Sequence, residues 1–83
     1  MTERDELREQ IRAIFIEKLH IDPPTDGTDL LQAGLLDSLA LVDLLLYLEQ
    51  DLAVRISIQD LELDDLGSID RIAALVAARR AQA

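Results

Sequence analysis

The fold is decided by residues 34–49, GLLDSLALVDLLLYLE, which lead from a loop into a helix. Leucine, a strong helix former, dominates residues 39–52, and this segment contains neither glycine nor proline. Asp37 or Ser38 can supply the side-chain oxygen that caps the free N–H groups at the helix start. An aspartate there also complements the positive end of the helix dipole. We therefore predict a helix over residues 39–52 that begins beside a serine hydroxyl.

This predicted helix is apolar on two faces. At about 100° per residue, one stripe predicts a core face, which consists of Leu41, Leu44, Leu45, Leu48 and Leu52. Nearly opposite lies a second stripe, here called the outer strip, which consists of Leu39, Val42 and Leu46. Asp43, Glu49 and Gln50 border it. Either a neighbouring helix or loop covers the outer strip, or a partner protein docks on it.

Length and composition indicate one globular domain. A chain of 83 residues buries roughly 60–65% of its unfolded surface, and 49% hydrophobic with 30% charged residues exclude a disordered chain. The absence of cysteine excludes disulfides, thiolate metal sites and cysteine nucleophiles. The N-terminal residues are charged, unlike a signal peptide, and no apolar run reaches the length of a membrane span. We expect a monomeric cytoplasmic protein.

The charge of the chain is strongly asymmetric. Its net charge is −9, and residues 21–70 contain twelve acids against one base, Arg55. Such a surface repels the phosphates of nucleic acids, so we expect no nucleic-acid partner. It favours partners with basic patches, although a generic acidic surface that keeps the protein soluble is the simpler alternative.

Helical periodicity also marks both ends of the chain. Residues 2–19 are predicted to form the first helix, with a core stripe of Leu7, Ile11, Ile14, Phe15 and Leu19. His20, the only histidine, follows its end, where we expect it to interact with the last carbonyls rather than to bind metal. Gly67 breaks the chain before a last helix that Ser68 caps. Its inner stripe contains Ile69, Ile72, Ala73, Leu75 and Val76, and residues 81–83 are expected to fray.

The segments between these helices complete the expected fold. Residues 21–36 form a long connection that starts with two prolines, and we expect some of its leucines to be buried. They lack the acids that a calcium loop needs at its third and twelfth positions. Residues 53–58 are read as a loop, residues 58–61 as a short helix and residues 62–66 as a further turn. The prediction is an all-α, small four-helix bundle with three longer helices and one short helix.

Ser38 is the residue best suited to chemistry in a chain without an enzyme motif. No nucleophile elbow and no glycine-rich phosphate loop is present. Ser38 lies where a helix start favours a phosphate, which suits a phosphoryl-type modification made by another protein. The alternatives are an ordinary capping serine and, for the whole chain, an unmodified acidic helical adaptor that binds a partner through the outer strip.

The same residues carry a family resemblance. Residues 34–39 (GLLDSL), 42–44 (VDL) and 48–49 (LE) resemble the Asp-Ser-Leu signature of acyl and peptidyl carrier proteins. The N-terminal helix, the long loop, residues 54–56 (VRI) and residues 68–73 (SIDRIA) agree with it, so the resemblance spans about residues 5–80. It implies that the chain is not an enzyme and that Ser38 carries a 4′-phosphopantetheine arm, whose thiol holds cargo as a thioester.

The resemblance also implies partners. A phosphopantetheinyl transferase would attach the arm with the help of Asp37 and a metal ion. An adenylating acyl or aminoacyl ligase, or an acyltransferase, would load the cargo, and condensing or transfer enzymes would receive it. The family's docking positions correspond to Leu39, Val42, Asp43, Leu46 and Glu49. Because two leucines separate Gly34 from Asp37 and Ala40 stands where an acid is usual, the motif is more similar to D-alanyl carriers and other discrete carriers loaded by a ligase.

Overall fold

The first helix, α1, spans Glu3–Glu17 in a computed structural model that describes residues 2–56, 59 and 62–82. A capping box starts it, because the Thr2 hydroxyl accepts from the Asp5 N–H at 3.2 Å and the Asp5 carboxylate accepts from the Thr2 N–H at 3.2 Å. The helix ends two residues before the predicted Leu19. The reason is His20, whose φ of 57° is left-handed and reverses the chain. Four of the predicted core residues are buried: Leu7, Ile11, Ile14 and Phe15.

The loop after α1 lies across the helices, as predicted. Leu30 and Leu36 are buried in the core, whereas Leu31 is only partly buried. Two hydrogen bonds fix the loop at the start of the last helix: the Leu30 N–H donates to the Gly67 carbonyl at 2.7 Å, and the Asp70 N–H donates to the Asp26 carbonyl at 3.0 Å. The loop is therefore a packed part of the fold and not a free linker.

The central helix, α2, spans Ser38–Leu52. The core face contains four of the five predicted leucines, which are Leu41, Leu44, Leu48 and Leu52. Leu45, the fifth, packs against the core but is only partly buried, because it lies on the side of the stripe nearest the outer strip. The helix ends at Ala53, which adopts the left-handed conformation with φ 52° and ψ 44°.

The chain between α2 and the last helix has little regular structure. Residues 53–56 form the predicted loop, with Val54 and Ile56 buried. Of the predicted short helix at residues 58–61, only residue 59 is described, and it has 3₁₀ geometry, so this helix stays a prediction. Leu63–Leu66 form one 3₁₀ turn, which agrees with the further turn predicted for residues 62–66.

The last helix, α3, spans Ile69–Gln82. The Ser68 hydroxyl caps it by accepting from the Arg71 N–H at 3.2 Å. Ile69, Ile72, Ala73 and Val76 are buried, and Leu75 packs against the core while partly exposed. The helix extends through Ala81 to Gln82, and Arg79 and Arg80 in its last turn suit the negative C-terminal end of the dipole. The expected fraying of residues 81–83 stays a prediction.

The described residues confirm the all-α class, because they contain helices and loops but no strand. The predicted four-helix bundle is corrected to three α-helices and one 3₁₀ turn in this part of the chain. The Leu63–Leu66 segment is too short to nucleate an α-helix between the loop before it and Gly67. α3 packs mainly against α1, and α2 has the fewest contacts with its neighbours. No helix among residues 2–56 and 62–82 has the length and apolarity that a membrane crossing requires.

Candidate functional site

A tight turn brings the chain to the start of α2. Gly34 has a φ of 73°, and a Cβ placed on it would meet no atom within 4 Å. The backbone conformation, and not lack of space, therefore favours glycine at this position. The N–H groups of Leu35 and Leu36 both donate to the Leu30 carbonyl, at 2.9 and 3.1 Å. Since Leu36 is also buried, the chain is fixed one residue before Asp37.

Asp37 is the N-cap of α2. Its backbone is extended, with φ −111° and ψ −179°, and its carboxylate Oδ1 accepts from the Ala40 N–H at 2.8 Å. Its carbonyl oxygen accepts from the Leu41 N–H at 2.9 Å, which closes the first helical turn. Of the two capping residues that the sequence allowed, the structure therefore uses Asp37, and Ser38 is the first residue inside the helix.

The side chain of Ser38 lies free at the surface. The residue is exposed, and its hydroxyl has no hydrogen bond to any other described residue. Ser68 is the opposite case, since it is 5% exposed and its hydroxyl is occupied in capping α3. Ser57 lies outside the described residues. Among the described serines, only Ser38 therefore offers an accessible, unengaged hydroxyl.

The outer strip is exposed along the length of α2. Leu39 is 80% exposed, Val42 54% and Leu46 51%, so none of the described elements covers the strip. The residues that border it are exposed as well, and these are Asp43, Glu49 and Gln50. Three neighbouring large apolar side chains in water are unfavourable unless a partner covers them. The first of the two sequence-based alternatives, cover by a neighbouring element, is therefore excluded for the described chain.

Among the described residues, the charged side chains around α2 do not form a metal site. No group of three or more His, Cys, Asp or Glu side chains in the described residues is arranged to hold a metal ion. His20, for which no metal role was expected, is exposed and serves as the left-handed residue that ends α1. Among the described residues, two cations contact α2. Lys18 Nζ lies 5.6 Å from the centre of the Tyr47 ring, and Arg80 Nη2 donates to the Leu52 carbonyl at 2.8 Å, at the opposite end of the helix from Ser38.

The only pKa shift resolved in the described chain lies away from Ser38. It is at Asp5, where hydrogen bonds from the Thr2 backbone N–H and hydroxyl lower the pKa of the carboxyl below 3.8, with help from Arg8. Asp5 belongs to the capping box of α1 and not to the site.

The ion pairs of two arginines were not recognised from the sequence: Arg12 anchors the loop, and Arg8 joins α1 to α3. Arg12 donates to the Pro23 carbonyl at 2.8 Å and pairs with Asp26 at 2.7 Å. Arg8 pairs with Asp5 at 2.6 Å and with Asp70 of α3 at 2.7 Å. The sequence places both arginines beside the core stripe, but no local pattern identifies partners that are distant along the chain.

The site thus brings together most of the residues that the sequence singled out. Asp37 and Ser38 lie at the start of α2, the outer strip follows them on one exposed face, and its acidic border is exposed. Leu35, which is 37% exposed in the turn before Asp37, adds an apolar side chain that the sequence analysis did not assign to the site. Its signal was weak, because a leucine in a loop can equally be buried.

The comparisons with known proteins agree with this geometry. A family model described as the phosphopantetheine attachment site matches residues 9–76, which include the whole of α2 and the turn before it. The comparison with curated proteins gives no match. Domains of this family are non-catalytic carriers that hold 4′-phosphopantetheine covalently on a serine and work with a phosphopantetheinyl transferase and biosynthetic enzymes. Because the family model covers most of the chain, the protein belongs to the phosphopantetheine attachment family of carrier domains.

Proposed function

We propose that this protein is a discrete acyl or aminoacyl carrier whose 4′-phosphopantetheine arm is attached to Ser38. The observation that carries the proposal is the contrast between the described serines. Ser38 is exposed and unengaged at the start of α2, whereas Ser68 is buried and caps α3. A hydroxyl that a second enzyme must reach has to be accessible, and Ser38 meets this requirement.

The attachment chemistry is supplied by a transferase and coenzyme A. The Ser38 oxygen attacks the phosphorus next to pantetheine, and a phosphodiester bond forms. The bond to the second phosphate breaks, adenosine 3′,5′-bisphosphate leaves, and a base of the transferase takes the hydroxyl proton. The arm ends in a thiol, which provides the nucleophile that a cysteine-free chain lacks. Cargo is then held on this thiol as a thioester.

We assign the outer strip to partner docking. The complementary surface is an apolar groove that covers Leu39, Val42 and Leu46, with basic side chains placed to meet Asp43 and Glu49. The exposure of the strip and the net charge of −9 support this arrangement. The same strip would serve the alternative function, an unmodified acidic adaptor, so attachment at Ser38 has to be tested directly.

We further propose that an adenylating ligase loads the cargo. The support is the motif itself, in which Leu35 and Leu36 separate Gly34 from Asp37 and Ala40 replaces an acid, as in the D-alanyl carrier type. Asp37 engages the transferase and its metal ion in this proposal. We also place the protein in the cytoplasm, where coenzyme A and ATP are available to the transferase and the ligase.

Intact-mass measurement tests the attachment. The protein is incubated with coenzyme A and a promiscuous phosphopantetheinyl transferase, and we expect a gain of roughly 340 Da, the mass of one arm. Ser38→Ala should abolish the gain, whereas the matched variants Ser57→Ala and Ser68→Ala should retain it. If the wild-type chain gained no mass under conditions that modify a control carrier, the result would favour the alternative function, an unmodified acidic adaptor.

A further inference from the structure

We propose that Asp37 is a positioning residue, which holds the first turn of α2 so that the transferase meets the Ser38 hydroxyl in one fixed place. This inference rests on the proposed attachment at Ser38. The carboxylate Oδ1 of Asp37 accepts from the Ala40 N–H at 2.8 Å, and no other described side chain caps the N-terminus of this helix. The role is separate from any contact that the charge of Asp37 makes with the transferase or its metal ion.

Ser38 lies between two fixed points. On its N-terminal side, Leu36 is buried and its N–H is bonded to the Leu30 carbonyl. On its C-terminal side, the two hydrogen bonds that Asp37 accepts close the turn over Ser38. Without the carboxylate, the Ala40 N–H loses its partner and only the backbone bond from Leu41 holds the turn. The free hydroxyl would then sample frayed geometries that the transferase cannot use.

The capping role can be separated from the charge because asparagine caps helices about as well as aspartate. Asp37→Asn keeps an oxygen for the Ala40 N–H and removes the negative charge. Asp37→Ala removes both the oxygen and the charge. The difference between these two variants therefore measures the cap, whatever the charge contributes to engaging the transferase.

The experiment measures the transferase kcat/KM for each variant with coenzyme A, well below the melting temperature. We expect Asp37→Asn to be modified about fivefold faster than Asp37→Ala, the factor that corresponds to an N-cap worth about 1 kcal/mol. Amide hydrogen exchange at Ala40 and Leu41 should be faster in Asp37→Ala than in Asp37→Asn.

Thr2→Ala is the matched control, because it removes a capping oxygen from α1 rather than from α2. It should lower stability by a similar amount and leave the rate of modification unchanged. If the transferase modified Asp37→Asn and Asp37→Ala at equal rates, and the wild type were a good substrate, the positioning role alone would be overturned. A loss of rate in Thr2→Ala equal to that in Asp37→Ala would overturn it too, since global stability would then explain both. An unmodifiable wild-type chain would overturn the attachment at Ser38 together with this inference.

Discussion

Three consecutive leucines of α2 allow its two faces to be compared with one kind of substitution. Leu44 is fully buried, Leu45 is partly buried and Leu46 is 51% exposed. Because all three are leucines in the same helix, replacement by alanine changes helix propensity equally at each position. Differences among the three variants therefore report burial, and we expect the loss of stability to decrease from Leu44 to Leu46.

The magnitudes follow from the exposures. Leu44→Ala removes a side chain with no exposed surface and leaves a cavity, which costs about 2–5 kcal/mol. A domain of this size has a free energy of unfolding of roughly 4–12 kcal/mol, so the variant stays folded only with a narrow margin. At about 4–8 °C per kcal/mol, its melting temperature should fall by at least about 10 °C. Leu46→Ala loses little buried area, and its melting temperature should change by under about 5 °C.

Thermal and urea denaturation followed by circular dichroism measure these differences. The transferase KM separates stability from docking, because Leu46→Asp should raise KM while the protein remains folded. Leu45→Ala should lie between its neighbours. If Leu46→Ala proved as destabilising as Leu44→Ala, or if Leu44→Ala melted like the wild type, the assignment of the two faces would be wrong.

Two smaller predictions concern the ends of helices. Ala53 has a φ of 52°, which costs an L-residue about 1–2 kcal/mol, so Ala53→Gly should raise the melting temperature by a few degrees in calorimetry. Ala13→Gly, at an exposed position inside α1, should lower the melting temperature. Equal effects of Ala53→Gly and Ala13→Gly would contradict the explanation from the positive φ of Ala53. Folding lowers the pKa of Asp5, so its ionised carboxylate stabilises the folded chain at pH values above 3.8, the ordinary pKa of the group. This stabilisation disappears as the pH falls through the lower pKa of the folded state. The urea midpoints of the wild type and of Asp5→Asn should therefore converge in acid. A difference that persisted there would refute the stabilising role of the ionised Asp5 carboxylate.

Helix positions and core faces were predictable because burial imposes the helical period on the sequence. The buried residues of α1 and four of the five leucines assigned to the core of α2 follow from spacing alone. The outer strip was also visible in the spacing, but whether a neighbouring element covers it was not, and its exposure is known only from the structure. Leu45 packs against the core but stays partly exposed, which the spacing did not show because periodicity gives a direction but not the width of the neighbouring element.

What could not be predicted depends on contacts between distant parts of the chain. α1 ends at Glu17 because the chain turns away at His20, which has a positive φ. Histidine is enriched in this conformation but adopts it too rarely for the sequence to predict it. The pairing of Arg8 with Asp70 joins residues far apart in the chain, and many other acids were equally available.

The division of roles between Asp37 and Ser38 explains why a serine at a helix start can be available for modification. A serine at the N-cap uses its own oxygen to hold the first turn, as Ser68 does for α3, and its hydroxyl is then engaged and buried. In α2 the aspartate provides the cap, so the serine occupies the first position inside the helix and its hydroxyl stays free. Exchanging the two residues, Asp37→Ser with Ser38→Asp, should keep the cap and abolish phosphopantetheine attachment, because the serine hydroxyl would then be engaged in capping the helix.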